Sequence, residues 1–288
     1  MTKAYIDGDL IAYKCCAVTQ ELVYSHLDIK SSCGEYPLFG FPNKTDAKGY
    51  CDENDIDVDG IFQDVRNPKF EIAASTAFEM TQNIIDGMVT EFSVNIEPVL
   101  CFSHFRNWRK EFNLPFEYKG NRKNTPRPPA LEFVKYKLSD AYKTLVVPFY
   151  EADDLMGIMG TESNNAIIAT LDKDLNQIPH TPIWNWEKKT TSQMSDEDAF
   201  KHLMMQVLTG DTSDGIPGIP KMGPKKAEKV LEGVDANGWV NAVYNQYFNS
   251  LPDKDGTPVS THYNGNLRAL WICREFGDYK SIPHAVLE

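Results

Sequence analysis

The sequence lacks the features of membrane-spanning and secreted proteins. It contains no run of about 18 apolar residues, and its N-terminal stretch MTKAYIDGDLIAY has acidic residues inside the apolar part and no small-residue cleavage site. The six cysteines form no C-x-x-C pair and no His/Cys spacing that suits zinc. We therefore expect no membrane span, reduced thiols and a cytoplasmic location.

Positive charge is also scarce, with 29 Lys and Arg against 41 Asp and Glu and a formal net charge of −12. This balance argues against contact with a phosphate backbone over the whole surface. The basic residues are concentrated, however: residues 104–127 hold seven of them against Glu111 and Glu117, a local net charge of +5. Such a distribution is compatible with one local nucleic-acid site.

Short apolar segments alternate with helical ones, which predicts a mostly parallel, doubly wound α/β sheet. The predicted strands are 3–6, 98–102, 144–149, 166–171 and 183–186. The predicted helices are 10–17, 71–93, 130–144 and 151–159. From about residue 196 the pattern is helical with Gly and Pro turns, and residues 24–70 are typical of a loop-rich insertion.

Acidic residues follow three of the predicted strands. Asp7 follows the first, Glu151 follows 144–149 and Asp172 follows 166–171. The carboxyl ends of parallel strands meet at one edge of a sheet, so we expect these side chains to lie together. Asp153 and Asp154 on the helix from residue 151, and Asp174, extend the group.

Carboxylates gathered in this way repel one another. Two like charges about 4 Å apart cost roughly 4 kcal/mol at an effective dielectric near 20, so the group must take up protons or hold cations. Oxygen ligands favour Mg²⁺ or Mn²⁺ over zinc, and two such ions about 4 Å apart can promote phosphodiester cleavage. The alternative is a set of helix caps and solvated loop acids.

Residues 207–231, VLTGDTSDGIPGIPKMGPKKAEKVL, combine two further acids, Asp211 and Asp214, with a Gly/Pro-built turn that leads into a basic helix. Backbone amides and lysines on one side of such a turn suit a phosphate backbone. A turn between two helices with exposed lysines is the alternative.

Five spaced motifs together resemble the 5′-nuclease (flap endonuclease) superfamily, and look closest to the stand-alone 5′→3′ exonucleases of tailed phages. They are YIDGDLIAY, WRKEF with YKGNRK, EADDLMG, ATLDKDL and TGDTSDGIPGIPKMGPKKA, and they cover residues 1–20 and about 95–232 in the family's order. The resemblance implies a PIN-like α/β domain over residues 1–195 and a helical lobe over 196–288 with a helix–three-turn–helix DNA-binding element. It also implies metal-dependent hydrolysis at DNA 5′ ends and flaps.

The resemblance further implies roles for individual residues. The implied ligands of two Mg²⁺ or Mn²⁺ ions are Asp7, Glu151, Asp153, Asp154, Asp172, Asp174, Asp211 and Asp214. Lys119 and Arg122 are similar to residues that contact the scissile phosphate, and Tyr118 resembles a stacking position. The remaining candidate DNA contacts are Arg106, Arg109, Lys110, Lys123, Gly218, Lys221, Gly223, Lys225 and Lys226. In this family the turn at 215–223 can also hold a K⁺ ion.

One position departs from the family pattern. After the strand at 98–102 the family has a metal-binding acid, whereas this chain has Ser103 and His104. Histidine is a poorer ligand for Mg²⁺ than carboxylate. The sequence leaves open a histidine ligand, a gap filled by water, or a histidine that caps the strand end.

Two loop features complete the predictions. Asp55-x-Asp57-x-Asp59-Gly60 copies the start of an EF-hand, but its twelfth position is Arg66 instead of Glu, so we expect a solvated acidic loop. The loop-forming residues within 104–127 predict a mobile arch beside the metals, with Lys119 and Arg122 on one face if the arch becomes helical.

Two alternatives to a DNA exonuclease remain at this point. A PIN-type ribonuclease shares the α/β core and the acids but not the turn at 215–223, and RNA–DNA hybrids are a further candidate substrate. A non-catalytic DNA-end-binding protein is suggested only by Ser103. We expect a monomer, of phage origin by resemblance, that acts in replication, primer removal or DNA degradation.

Overall fold

The computed structural model describes residues 1–26, 40–123, 125–251 and 256–282. It contains two compact units: Met1–Asp9, Gln82–Asn121 and Tyr142–Glu288 form the first, and Leu10–Thr81 with Arg122–Ala141 form the second. The predicted boundary between a catalytic domain and a helical lobe at residue 195 falls inside the first unit and stays a prediction. Among the described residues, none of the helices is long and apolar enough to cross a membrane.

The described elements are eight strands and nine α-helices. The strands are β1 (Thr2–Asp7), β2 (Glu21–His26), β3 (Ile61–Arg66), β4 (Ile96–Cys101), β5 (Lys143–Leu145), β6 (Ala166–Ala169), β7 (Ile183–Asn185) and β8 (Thr190–Ser192). The helices are α1 (Gly8–Val18), α2 (Lys44–Glu53), α3 (Phe70–Phe92), α4 (Leu131–Ala141), α5 (Ala152–Glu162), α6 (Asp196–Thr209), α7 (Pro224–Leu231), α8 (Trp239–Ser250) and α9 (Val259–Leu270).

A six-stranded sheet in the order β5-β4-β1-β6-β7-β8 forms the centre of the first unit. All neighbouring strands are parallel except the β7–β8 hairpin. The side chains of β1 and β6 are nearly all buried, as expected for strands covered on both faces. Helix α5 packs on β1, β4 and β6. The predicted α/β fold with a mostly parallel sheet is therefore confirmed.

Helices α6 to α9 pack on one another in the same unit. Ser195 begins α6 by accepting a hydrogen bond from the Asp198 amide, which satisfies one of the free N–H groups of the first turn. The Tyr247 hydroxyl of α8 donates to the carbonyl of Val207 in α6 at 2.6 Å. This bond compensates for the burial of a polar group in the core between these helices.

The described part of the predicted loop-rich insertion is more ordered than its composition indicates. Strands β2 and β3 pair in antiparallel fashion, Glu21 with Arg66 and His26 with Ile61, and α2 begins at the side chain of Asn43. The pairing joins segments about forty residues apart, which local composition cannot reveal. Asp57 accepts from the Asp59 amide and caps a short 3₁₀ turn. Residues 27–39 of the insertion lie outside the described residues.

Two predicted element boundaries are wrong. The strand expected over 144–149 ends at Leu145, and Phe149 has a left-handed φ of 74° that no strand residue adopts. The helix expected to reach residue 144 ends at Ala141, because β5 begins at Lys143 and pairs with β4. In both cases pairing with a distant strand determines where the element stops.

Candidate active site

A cleft in the first unit is lined by five acidic side chains. Five of the eight predicted metal ligands lie on its wall, together with two residues of the basic segment and an apolar floor. The lining residues are Arg109, Tyr118, Glu151, Asp153, Asp172, Asp174, Asp214, Ile216, Ala269, Leu270 and Ile272. The sequence prediction that strand ends bring these acids together is thus correct for Glu151, Asp153, Asp172 and Asp174.

Thr170, directly after β6, ties two of the strand ends together. Its hydroxyl donates to Asp7 Oδ2 at 3.2 Å and accepts from the amide of Asp172 at 3.0 Å. Asp172 in turn caps a 3₁₀ turn by accepting from the Asp174 amide at 2.8 Å. Thr170 was missed by sequence reasoning, although it stands inside the ATLDKDL motif beside the acids that it positions.

The carboxylates of the cleft destabilise one another's charged forms. Burial raises the pKa of Asp153 well above its ordinary value, and the charges of Asp172 and Asp7 raise it further. Burial, with the charges of Asp172 and Asp211, raises the pKa of Asp174 to about 8. Burial is also the main cause of the raised pKa of Asp172. The site therefore favours proton or cation uptake, as the sequence predicted.

The donor set fits a hard divalent cation. All of the clustered acids offer carboxylate oxygens, and Asp174 Oδ1 is buried with no hydrogen-bond partner in the described part of the chain. Within those residues, no three Asp, Glu, His or Cys side chains converge closely enough to hold one ion. Coordination of a cation would therefore require changes of side-chain rotamer in the cluster.

Lys119 brings a positive charge to two acids of the cleft wall, in addition to Arg109. Its Nζ donates to Glu151 Oε1 and lies 3.6 Å from Asp214 Oδ2. The Tyr118 hydroxyl also contacts both carboxylates, at 2.8 Å from Glu151 Oε2 and 3.1 Å from Asp214 Oδ2. Burial alone would raise the pKa of Glu151, but Lys119 and Arg109 outweigh it and lower that pKa to about 2. Glu151 therefore stays charged more readily than Asp153, Asp172 and Asp174.

The stacking position predicted at Tyr118 is not supported by the structure. Its side chain is only 8% exposed, and its ring lies near the cationic groups of Lys119 and Arg109, at 4.9 and 5.9 Å from the ring centroid. A nucleobase has no access to a ring buried in this way. Tyr118 acts instead through its hydroxyl, which orients Glu151 and Asp214.

Arg109 and Asp154 form a buried ion pair, which corrects the predicted DNA contact and the predicted metal ligand. Arg109 is 3% exposed and Asp154 is fully buried. The guanidinium donates to both Asp154 oxygens at 2.8 and 2.9 Å, to Glu151 Oε2 at 3.0 Å, and to the carbonyls of Ala269 and Trp271. With these bonds made, Arg109 has no donor left for a phosphate.

The remaining lone pairs of Asp154 are used by other donors. Its Oδ2 accepts from Trp108 Nε1 at 3.0 Å and its Oδ1 accepts from the Cys273 amide at 3.2 Å. Sequence reasoning missed these partners because Cys273 stands 119 positions from Asp154. The only local signal is the aromatic surroundings of Arg109 in the segment NWRKEF. The pair therefore joins the basic segment, α5 and the chain after α9.

The position of the missing family acid has a structural role. Ser103 Oγ accepts from the amide of Ala152 at 2.9 Å and so caps the start of α5. His104 Nδ1 accepts from the amide of Arg106 at 3.1 Å, and the His104 amide donates to the carbonyl of Tyr150. Of the three possibilities left open by the sequence, these bonds favour the capping histidine.

The prediction of a mobile, unpacked arch is wrong for residues 104–121. Trp108 is buried, the Lys119 amide donates to the carbonyl of Asp214 at 2.7 Å, and Asn121 Nδ2 donates to the carbonyls of Thr212 and Ser213. These bonds fix the segment to the 211–214 loop. Arg106 and Lys110 in this segment are exposed. Arg122 and Lys123 belong to the second unit, so their roles stay predictions.

The turn between α6 and α7 presents three of its predicted contacts to solvent. Lys221, Lys225 and Lys226 are exposed, and Gly223 stands at the N-cap of α7. Gly218 is buried instead, and its amide donates to Asn266 Oδ1 at 2.9 Å. The amide of Gly218 is thus engaged by α9 and cannot bind a phosphate, which corrects that prediction.

The buried ion pair leads to a stability prediction. Arg109→Met leaves Asp154 as an uncompensated buried charge, which is expected to lower the free energy of unfolding by about 3–5 kcal/mol. The double variant Arg109→Met with Asp154→Leu should lose clearly less. Thermal unfolding of the two variants and of Lys110→Met, an exposed neighbour, measures the difference. An Arg109→Met variant as stable as Lys110→Met would contradict the buried role.

The turn leads to a second prediction. Gly218 has a φ of +58°, and a Cβ there would lie 2.3 Å from the backbone nitrogen of Gly210. Gly218→Ala should therefore destabilise the chain by more than about 1 kcal/mol. Gly223→Ala is the matched control, because no described atom lies within 4 Å of a Cβ at Gly223. Equal unfolding midpoints for the two variants would show that the turn relaxes without cost.

Comparison with known proteins reveals relatives among nucleases, although no family model matches the chain. The chain is 33% identical over 133 residues to the exodeoxyribonuclease of Enterobacteria phage T3, which covers 43% of this chain and 43% of that protein. It is 31% identical over 140 residues to the flap endonuclease Xni of Shewanella woodyi, covering 44% of this chain and 55% of that protein. The chain thus spans about half the length of the curated relatives that it matches.

A solved structure shares the fold over nearly the whole chain. The T5 D15 protein, co-crystallised with metal ions, aligns with a TM-score of 0.55 and 14% identity over 94% of this chain and 89% of that chain. At this identity the likeness shows the fold alone. The sequence relatives, an exodeoxyribonuclease and a flap endonuclease, bear out the predicted resemblance to the 5′-nucleases that include the flap endonucleases.

Proposed function

We propose that this chain is a metal-dependent 5′→3′ exodeoxyribonuclease with flap- or structure-specific endonuclease activity. The observation that carries the proposal is the cluster of carboxylates with raised pKa values at the carboxyl edge of the sheet, with Lys119 beside it. The names of the phage T3 and Shewanella relatives, an exodeoxyribonuclease and a flap endonuclease, support the same reaction class. Replication, primer removal or DNA degradation in a phage is the setting that we propose.

Seven of the predicted ligands are suited to hold two Mg²⁺ or Mn²⁺ ions. Asp172 interacts electrostatically with both Asp153 and Asp174, and these two interact in turn with Asp7 and Asp211. Glu151 and Asp214 complete the set. When bound, such ions would lower the pKa of water for attack and stabilise the leaving oxygen of a phosphodiester. Asp154 is excluded from the set because its oxygens are used by Arg109, Trp108 and Cys273.

Lys119 is proposed as the catalytic cation. In the free protein its ammonium group is held between Glu151 and Asp214, about a fifth exposed, so it is both preorganised and reachable. Neutralisation of these carboxylates would leave Nζ available to a phosphate oxygen. A fixed cation that meets charge developing in the transition state accelerates cleavage more than it strengthens binding. Arg122 stays a proposed catalytic cation, as the family resemblance implies.

The surface of the turn between α6 and α7 is proposed to hold the DNA backbone away from the cut. Its exposed Lys221, Lys225 and Lys226 offer charge to phosphates, and Gly223 opens the N-terminus of α7. A K⁺ ion bound by the backbone carbonyls of residues 215–223, RNA–DNA hybrids as additional substrates, and a monomeric state belong to the same proposal. A non-catalytic DNA-end-binding protein is disfavoured, because clustered acids repel phosphate and Ser103 already serves as a helix cap.

Removal of one clustered carboxylate tests the metal role. Asp153→Asn should lower Mg²⁺-dependent cleavage of 5′-labelled duplex DNA by more than about 100-fold, while binding of the same duplex in Ca²⁺ survives. Asp235→Asn, a substitution outside the cleft, is the control and should cleave normally. Normal turnover by Asp153→Asn, or wild-type turnover in excess chelator, would contradict the assignment.

Removal of the lysine charge tests catalysis separately from binding. Lys119→Ala should lower the single-turnover rate on saturating DNA by about 10- to 1,000-fold, the loss of one preorganised electrostatic contact, with a smaller loss of affinity. Lys143→Ala is a matched control, because Lys143 also pairs with a glutamate, Glu97, at 3.2 Å but lies far more exposed. If Lys119→Ala cleaves at the wild-type rate once saturated, the lysine only attracts DNA.

A further inference from the structure

The segment between β4 and the 3₁₀ turn Trp108–Glu111 places an aromatic ring in solvent. Phe105 is 82% exposed, more than any other aromatic side chain in the described residues. A large apolar ring held outside the core loses the stabilisation that burial provides. Single exposed apolar residues are common on protein surfaces, so the exposure of Phe105 becomes informative only through its neighbours.

Three side chains accompany Phe105 and form with it what we call the Phe105 platform: His104, Phe105, Arg106 and Phe149. The His104 and Phe105 ring centroids are 4.2 Å apart at an interplanar angle of 39°. The guanidinium carbon of Arg106 lies 5.7 Å from the Phe105 centroid and 5.8 Å from the Phe149 centroid. The platform thus combines an open aromatic face with an exposed cation.

Backbone hydrogen bonds hold the platform in place. The His104 amide donates to the carbonyl of Tyr150, and the Trp108 amide donates to the carbonyl of Phe149 at 2.9 Å. Phe149 keeps a φ of 74°, a conformation that is strained for a bulky residue and persists only where its surroundings enforce it. The platform is therefore a fixed surface, and its strain lies beside the cleft.

Its location connects it to the proposed reaction. Phe149 precedes Glu151 by two residues, so its backbone lies within about 7 Å of that of Glu151. At a rise of about 3.4 Å per nucleotide in a strand, this is a distance of about two nucleotides. Arg106 of the platform and Lys110, four residues further on, are exposed and positive, whereas the cleft is acidic. These cations can attract the phosphates of a strand that the acidic cluster repels.

We propose that the Phe105 platform stacks an unpaired nucleobase of the DNA strand adjacent to the scissile phosphate, while Arg106 contacts a neighbouring phosphate. This inference rests on the proposed nuclease function and names a contact for its substrate. Aromatic rings beside basic residues are the recurrent means of binding single strands without sequence preference. The face of a base is accessible only when the base is unpaired, so the platform favours flaps and frayed 5′ ends over closed duplex.

Binding measurements on two DNA forms test this contact. Fluorescence anisotropy in Ca²⁺ measures the affinity for two DNA forms. One is a duplex that carries a single-stranded 5′ flap, and the other is the same duplex without the flap. Phe105→Ala should weaken flap binding by about 5- to 100-fold, the range for loss of one stacked base, and should leave flapless binding unchanged. Phe105→Trp should retain flap binding. Phe248→Ala removes another exposed aromatic of the same unit, 66% exposed on α8, and should match wild type.

A direct readout of stacking completes the experiment. A 2-aminopurine base in the flap should be quenched on binding to wild type and to Phe105→Trp, but not to Phe105→Ala. If the wild type cleaves DNA, either of two results would overturn the proposal. One is that Phe105→Ala keeps wild-type flap affinity and quenching, and the other is that Phe105→Ala loses affinity equally for both DNA forms. If the wild type self-associates and Phe105→Ala does not, the surface binds a second copy of the chain, and the proposal is also overturned. A wild type that neither binds nor cleaves either DNA would instead contradict the proposed function.

Discussion

The repulsion among carboxylates at the carboxyl edge of the central sheet is the constraint on which the rest of this site depends. Asp153, Asp172 and Asp174 lie together at this edge, and their pKa values rise because desolvation disfavours the charged form of each and the neighbouring carboxylates disfavour it further. For Asp174, with a folded-state pKa of about 8 against an ordinary 3.8, the folded state binds the proton more tightly than the unfolded state. Without a cation this group therefore lowers stability as the pH rises from about 4 to about 8. We propose that bound cations relieve this repulsion.

The neighbouring charges show how the fold keeps this repulsive cluster in place. Glu151 keeps its charge because Lys119 and Arg109 flank it. Asp154 accepts five hydrogen bonds, two from the Arg109 guanidinium and three from other donors. The adjacent acids of the EADD motif thus have different tasks: Asp153 faces the cleft, while Asp154 anchors α5 to the basic segment and to the chain after α9. Removing the anchor would loosen the lysine and tyrosine that face the cluster, so stability and the geometry of the site are linked through one buried pair.

Much of the fold and part of the site can be predicted from the sequence, for identifiable reasons. Buried parallel strands appear as short apolar runs, and their acids stand at strand ends, so the positions of Asp7, Glu151 and Asp172 follow from local pattern and one rule about parallel sheets. The exposure of Arg109 and Tyr118 is not predictable from local sequence because it depends on distant contacts: Arg109 with Trp271, 162 positions away, and Tyr118 with Asp214, 96 positions away. The ends of β5 and the order within the insertion were misjudged for the same reason, since strand pairing with a distant segment decides them. Phe105 gave no signal as a sequence, because its exposure is visible only in three dimensions.

The most direct test of the central claim measures cation binding without DNA. Thermal unfolding of the wild type is followed at neutral pH with increasing MgCl₂ and, in parallel, with NaCl of matched ionic strength. The account predicts that Mg²⁺ raises the unfolding temperature of wild type beyond the effect of matched salt, because only the folded state gathers the carboxylates. It also predicts that Asp174→Asn is more stable than wild type in chelator and gains less from Mg²⁺, because one repelling charge is gone. Two results together would contradict the account. The unfolding temperature of wild type would respond equally to Mg²⁺ and to matched salt, and in chelator the wild type would be at least as stable as Asp174→Asn.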